Sequence, residues 1–304
     1  MGQEGKISII TINYNGLEDT CGLIDSLPVD DRLEIIVVDN ASTTNEASDI
    51  AVRFPHVKTV RSNHNIGFGA GNNLGFRVST GQYIFFLNND AYLTGTPSDK
   101  MAALSALADR LESDDTIALV SPKIRFAWDD NPIQYAGYTP LSKITVRNNA
   151  IGFGESDHGQ YDSPRPTPYA HGAAVMTKRE YMENGGLWPE NYFLYYEEID
   201  WSLTFLSKGY QIWYDPRCTV YHKESKTTGQ DSPLRVYYLT RNRLLLVSRH
   251  FSPYVRPLTY IYLMGFAGTK NVLTYLFQGR MKHVKAVAKG IRDFCENRQG
   301  QLTS

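Results

Sequence analysis

Cysteine is scarce: only Cys21, Cys218 and Cys295 occur among 304 residues, far apart and odd in number. That excludes a disulfide framework and a paired CxxC zinc site, and it fits a reducing compartment. Long apolar runs are missing too. The stretch from Leu258 to Ala267 meets Lys270 before it reaches the ~20 residues a spanning helix needs. Met1 to Lys6 lacks the basic-then-apolar build of a signal peptide. These absences lead us to expect a cytoplasmic protein, with peripheral placement on the inner face of the cytoplasmic membrane as the further option. No charge of one sign dominates either. The formal net charge is −1, which rules out a uniformly basic nucleic-acid binder. With 42% hydrophobic and 21% charged residues, a packed core is expected rather than disorder.

The near-neutral total conceals an asymmetry. From Pro233 onward, 12 Lys and Arg stand against Asp293 and Glu296, a net of +10. The remaining 19 basic and 30 acidic groups of the chain's 31 and 32 give the first 232 residues a net of −11. A basic, helix-patterned tail on an acidic body points to a polyanionic surface as partner.

Apolar periodicity predicts strands at Lys6–Asn13, Leu33–Asp39, Val57–Arg61, Tyr83–Leu87 and Ile117–Val120. Helices are expected at Thr20–Leu27, Ala47–Phe54, Asn72–Ser79 and from Pro97, where Met101, Leu104, Ala108 and Leu111 share one face. Arg125 to Thr167 reads as irregular. A strand at Ala173–Lys178, a helix at Glu197–Lys208, a strand at Ile212–Tyr214 and helices from Pro233 complete the chain. Alternation of strand and helix over the first ~120 residues is the pattern of a mostly parallel sheet covered on both faces. Ligands bind such sheets beyond the carboxyl ends of the strands. Polar clusters fall there: Asn13-Tyr14-Asn15, Asp39-Asn40, Asn63 to Asn65 and Asn88-Asn89-Asp90.

Four motifs carry candidate chemistry, each with a plainer alternative. Asn65 to Gly75 (NIGFGAGNNLG) has the glycines to pass close to a phosphate, or to pack a helix on a sheet; its spacing is neither the dinucleotide fingerprint nor a P-loop. Asn88-Asn89-Asp90 can present a carboxylate to Mg²⁺ or Mn²⁺, or be a polar turn. Glu197-Glu198-Ile199-Asp200, after the aromatic run Tyr192 to Tyr196, can supply a carboxylate of raised pKa as general base, or an acidic first helical turn. His222 is a ligand or a structural histidine.

The ordered set Thr11-Ile-Asn-Tyr-Asn15, Val37-Val-Asp-Asn40, Asn65 to Asn73, Leu87-Asn-Asn-Asp90, Gly172-Ala-Ala and Tyr195-Tyr-Glu-Glu-Ile-Asp-Trp201 resembles the family 2 glycosyltransferases. Within that family it is most similar to the bacterial rhamnosyltransferase-like branch. The resemblance implies an α/β, GT-A fold: a Rossmann-like, mostly parallel sheet with helices on both faces, over residues 1–232. A C-terminal helical extension, 233–304, would offer an acceptor or membrane surface, or a homodimer contact. It implies inverting, metal-dependent transfer from a dTDP- or UDP-linked sugar to a saccharide or lipid-linked acceptor in cell-surface polysaccharide synthesis. dTDP-rhamnose is the favoured donor. A UDP-hexose enzyme and a non-catalytic nucleotide-sugar binder are the alternatives, and no nucleic acid is expected. By the same likeness Thr11, Asn13, Tyr14, Asp39, Asn65, Gly67, Asn72, Asn88 and Asn89 would bind the nucleotide sugar. Asp90 and His222 would hold a divalent cation, Mg²⁺ or Mn²⁺. Glu198 would be the base, with Glu197 or Asp200 able to share the role. Trp188 to Trp201 would offer aromatic faces to sugar rings. Two positions depart from the family pattern: Asn88 stands where the first DXD carboxylate is usual, and Glu198 where Asp is commoner.

Overall fold

The computed structural model describes residues 2–128, 130–224 and 231–302, the side chain of Glu4 excepted. Its first half alternates as expected: β1 (Gln3–Asn13), α1 (Leu17–Ser26), β2 (Leu33–Asp39), α2 (Glu46–Arg53), β3 (Lys58–Arg61), α3 (Phe68–Val78), β4 (Gly81–Leu87), β5 (Ala91–Tyr92), α4 (Pro97–Glu112) and β6 (Ile117–Phe126). Short strands β7 (Ile133–Tyr135) and β8 (Arg165–Pro166) interrupt the irregular region. Then come β9 (Ala174–Lys178), α5 (Arg179–Glu183), α6 (Glu197–Ser207) and β10 (Gln211–His222). The C-terminal region is α7 (Pro233–His250), α8 (Arg256–Tyr260), a π-wound segment (Ile261–Gly268), α9 (Thr269–Phe277) and α10 (Met281–Cys295).

The strands form one sheet in the order β3-β2-β1-β4-β9-β6-β10-β5, with β7 beside β6 and β8 beside β10. It is mostly parallel, but β9 runs antiparallel to both β4 and β6, and β5 antiparallel to β10. Successive residues of the parallel strands face opposite layers. Ile9, Val37 and Phe85 pack with α1, α2 and α4. Ile10, Ile36, Ile84 and Phe86 pack with Phe76 of α3 and Trp201 and Phe205 of α6. Burial on both faces explains the near-continuous apolar runs. The helix from Pro97 starts as its sequence dictates: the Thr96 side chain accepts the Asp99 N–H, and Asp99 returns the bond, a capping box with Pro at the first turn.

Most element ends shift by one to three residues from the sequence reading, and three differ by more. α3 begins at Phe68, four residues early. β6 and β10 run on to Phe126 and His222, because the two strands pair along their whole length. His222 therefore ends a strand instead of following one. The extension also commits two of its cations to partners inside the chain: Arg241 is fully buried, and Arg249, whose side chain stays 42% exposed, sets its Nε 2.5 Å from Asp200 Oδ2. Among the described residues no helix is long and apolar enough to cross a membrane.

Candidate active site

Parallel pairing aligns the strand ends: Asn13 lies opposite Asp39, and Asp39 opposite Arg61. Beyond that edge is a cavity of about 480 Å³. Tyr14, Asn65, Gly67, Asn72, Asn88, Asn89, Asp90 and His222 all line it, so the fold brings eight of the predicted residues to one space. Thr11, Asn13 and Asp39 do not reach its wall. Asn13 donates to Ser42 and Glu46 and accepts from Thr20. Asp39 accepts the Ser42 N–H and pairs with Arg61 at 2.9 Å. These buried side chains tie down the loops that frame the cavity. Thr11 lies fully buried in β1, its hydroxyl without a partner. Asn72 is only 2% exposed and lines the cavity, and its Nδ2 has no partner. A buried donor in that state is costly unless a ligand accepts from it.

Asp90 and His222 form one corner. Both are buried, and His222 Nε2 stands 3.2 Å from Asp90 Oδ1. Gln134 Oε1 lies 2.9 Å from His222 Nδ1; an amide oxygen there can only accept, which favours the tautomer with the proton on Nδ1 and the lone pair on Nε2. Asn88 Nδ2 donates to Nε2 at 3.2 Å. A carboxylate oxygen and an imidazole nitrogen at this separation suit two neighbouring ligands of a divalent cation, and O/N donors suit Mn²⁺ or Mg²⁺. Among the described residues no cluster of three or more His, Cys, Asp or Glu could hold a metal. Behind His222 sits His171, its ring edge-on at 6.4 Å. Burial, with His222 next to it, holds His171 down at about 3, so it is neutral. The Ala173 N–H donates to its Nδ1.

The glycine-rich loop does two things. Gly67 lines the cavity at φ +84°, where a Cβ would meet Phe193 O at 2.5 Å. Asn40, adjacent to Asp39, clamps the loop by accepting from Ile66 N–H and donating to Asn65 Oδ1 and Gly67 O. Gly71 and Gly75, by contrast, let α3 lie on Ile12 and Ile10 of β1, the packing alternative. The first helical N–H, that of Phe68, is taken by Phe193 O at 2.8 Å and is not free for phosphate.

The three acidic residues of α6 separate. Asp200 is buried against Arg249 and His250 and accepts from Tyr192 OH at 2.6 Å. Burial alone would raise its pKa, but the hydrogen bonds from His250, Tyr192 and Arg249 outweigh it and hold it low. Its carboxylate is thus engaged by Arg249, His250 and Tyr192. Glu197 is buried with Oε2 unpartnered, and burial reinforced by Glu198 pushes its carboxyl well above the usual range. Glu198 is half-buried and also raised, chiefly by desolvation. It lines a second cavity, of about 410 Å³, with Tyr195, which lines the first cavity as well. A Cβ on Gly172 would touch Glu198 Cβ at 3.5 Å, so the base candidate sits one residue from His171.

The loop entering α6 is strained: Phe193, Tyr195 and Tyr196 all have φ near +70°, a conformation costing about 1–3 kcal/mol each. α7 holds it. Asn242 Nδ2 donates to the carbonyls of Tyr192, Leu194 and Tyr195, and Arg241 donates to Tyr192 O. Trp188 and Trp201 are not sugar platforms. They stack on each other at 4.2 Å in the core, and Phe193 and Tyr195 face the cavity instead. Sequence reasoning missed Gln134, His171, Asn242 and the tail residues Gln301 and Leu302, the last two of which also line the first cavity. No motif marks them; they arrive through strand pairing and helix docking.

The fold is that of the GT-A glycosyltransferases. It matches a solved structure of GalNAc-T7 with UDP, GalNAc and Mn²⁺ at TM-score 0.67 and 15% identity, over 96% of this chain and 58% of that one. It also matches the mannosyltransferase PcManGT from Pyrobaculum calidifontis, in complex with GDP-Man and Mn²⁺, at TM-score 0.56 and 16% identity, over 96% and 88% of the two chains. The family model described as Glycosyl transferase family 2 matches residues 8–185. The chain belongs to that family and is a glycosyltransferase using nucleotide sugars. It is 25% identical over 303 residues to the low-salt glycan biosynthesis hexosyltransferase Agl10 of Haloferax volcanii, covering 97% of this chain and 92% of that one. It is 24% identical over 306 residues to the dTDP-rhamnosyl transferase RfbF of Shigella flexneri, covering 94% and 96%.

Proposed function

We propose that this chain is an inverting, divalent-metal-dependent transferase that moves rhamnose from dTDP-rhamnose to a saccharide, free or lipid-linked, in cell-surface polysaccharide synthesis. The observation that carries the reading is the Asp90–His222 pair, 3.2 Å apart, with Gln134 favouring the Nδ1–H tautomer, in a cavity walled by asparagines. Asp90 Oδ1 and His222 Nε2 would hold the ion, which when bound supplies Lewis-acid stabilisation of the departing diphosphate. Asn72 Nδ2, buried and unpartnered, donates to the donor, and Tyr14 flanks it. Glu198 takes the proton from the acceptor hydroxyl as the hydroxyl attacks the anomeric carbon. Burial raises its pKa, which makes the carboxylate a stronger base. One carboxylate suffices because no covalent glycosyl-enzyme forms. Support for rhamnose is the similarity to a dTDP-rhamnosyl transferase; a UDP-hexose is the competing donor.

Contact with an anionic bilayer fits the exposed apolar side chains Tyr254, Leu258, Ile261, Phe266 and Phe277, of which Tyr254 is 95% and Phe277 90% exposed. No Asp or Glu occurs between His250 and Arg292, whereas Lys270, Lys282 and Lys285 do. Flotation with anionic vesicles, lost in high salt, is the expected result; no flotation at low salt removes the contact.

A thermal-shift screen of dTDP- and UDP-sugars with Mn²⁺ or Mg²⁺ tests the donor, since a bound ligand stabilises the native state. dTDP-rhamnose should give the largest shift, and a larger shift from a UDP-hexose replaces it. Glu198→Gln should abolish turnover with nucleotide binding nearly intact. Full activity in that variant removes Glu198 from the mechanism.

A further inference from the structure

We infer that residues 300–302, which follow α10, are part of the donor site: they cover the bound nucleotide sugar and keep water from its anomeric carbon. The inference rests on the proposed function, in which the first cavity holds the donor.

The cavity has two unlike walls. The strand ends and the loop into α3 supply the asparagines together with Asp90 and His222. The other wall is mainly apolar, and none of it comes from the sheet. Phe193 and Leu194 belong to the loop before α6, Leu234 and Tyr238 to α7, and Leu302 to the segment after α10. Gln301 lines the cavity beside Leu302 and is exposed.

The chain is steered to that wall. Its backbone turns at Asn297, φ +55°, and at Gly300, φ +72°, and these are the residue types that enter the left-handed region most readily. Gly300 N–H then donates to Asn191 O at 2.8 Å, and Arg241 Nη1 donates to Gly300 O at 2.8 Å. Leu302 N–H donates to the Tyr238 hydroxyl at 2.8 Å, while the Tyr238 ring stacks on Phe193 with centres 5.3 Å apart. The Leu302 side chain packs against Tyr237, Tyr238 and Ala286. Arg241 also donates through Nη2 to Tyr192 O, so one buried cation holds both this segment and the strained loop that leads to Glu198. Bonds from a charged donor are the stronger kind. Even so, a few hydrogen bonds and one apolar side chain can release and re-form, as a cover must when its ligand enters and leaves.

The cover has a chemical purpose. Water can react by the same displacement as a sugar hydroxyl. Its oxygen bonds to the anomeric carbon, the bond to the diphosphate oxygen breaks, and its proton passes to the base, which yields free sugar and nucleoside diphosphate. Excluding water from a closed site prevents that side reaction.

The test is hydrogen exchange of the full chain with and without dTDP-rhamnose and Mn²⁺, repeated with UDP-glucose and Mn²⁺, alongside calorimetry and free-sugar release with the same donors. Exchange at the Gly300 and Leu302 amides should slow when a donor binds. Gly300→Val puts a β-branched side chain at positive φ, with nothing beyond its chain neighbours within 4 Å of the new Cβ, so it frees the segment without disturbing the core. It should weaken donor affinity roughly tenfold, because only the docked fraction binds tightly. Free-sugar release at saturating donor should rise severalfold, with Tm unchanged. Tyr238→Phe, which removes the hydroxyl that accepts from Leu302 N–H, should act in the same direction. Donor binding that leaves exchange at residues 300–302 unchanged overturns the inference. So does unchanged free-sugar release at saturating donor in a Gly300→Val protein whose segment exchanges freely. Tighter donor binding in that variant marks an obstruction instead of a cover and overturns it as well. Failure of both donors to bind the wild type sinks the donor reading and this inference with it, whereas the other adverse results sink the cover alone.

Discussion

Gln134→Leu isolates the part of the site that geometry alone exposed. Gln134 and His222 are both buried, and the 2.9 Å contact from Gln134 Oε1 is the acceptor for His222 Nδ1–H. Without it, the imidazole can move its proton to Nε2 and donate to Asp90 Oδ1, 3.2 Å away. That tautomer offers no lone pair to a cation. Losing the partner that orients a ligating histidine typically costs about 10–100-fold in metal affinity, or about 1.4–2.8 kcal/mol. Where the proton stays on Nδ1 instead, the unpaired donor costs about 1–3 kcal/mol of stability. Mn²⁺ affinity in the presence of UDP, read by calorimetry, should fall by that factor in Gln134→Leu. It should be largely restored in Gln134→Glu, which keeps the acceptor. Turnover at limiting Mn²⁺ should follow the same order. A folded Gln134→Leu protein with unchanged Mn²⁺ affinity would falsify the orienting role.

Glu197→Gln should be stabilising at alkaline pH. In the wild type the folded state keeps a proton on Glu197 after the unfolded chain has lost it, so stability declines as pH rises from the ordinary carboxylate range through the raised folded value. Chemical denaturation at pH 5 and pH 8 should show that decline in the wild type and a flatter profile in the variant; equal slopes would refute it. Asn242→Leu removes the donor to the carbonyl of Leu194 and one donor to that of Tyr195. At about 1–3 kcal/mol for the Leu194 carbonyl, Tm should fall by about 2–6 °C or more. The donor KM should rise as the loop relaxes, and an unchanged Tm would show that the loop holds itself. Gly67→Ala puts a Cβ against Phe193 O in a backbone region that L residues avoid. It should raise the donor KM severalfold with little change in kcat, measured under saturating acceptor.

The local pattern was enough to show the alternating elements, the strand-end edge that borders the first cavity, and which glycines and asparagines crowd it. Strand burial and helix capping are short-range properties, written in the spacing of Ile, Val and Leu and in Thr96, Pro97 and Asp99. Tertiary structure decided the rest. It turned Asn13 and Asp39 into loop ties, because partners from distant segments reach them first. It separated three adjacent carboxylates by helical rotation, sending Asp200 to Arg249 and leaving Glu198 at a cavity wall. It placed Gln134 behind His222 across a gap of 88 residues. Helical and strand periods are set within a few residues, so a sequence displays them. Which hydrogen-bond partner a buried side chain meets depends on how whole elements pack, and no local spacing records that.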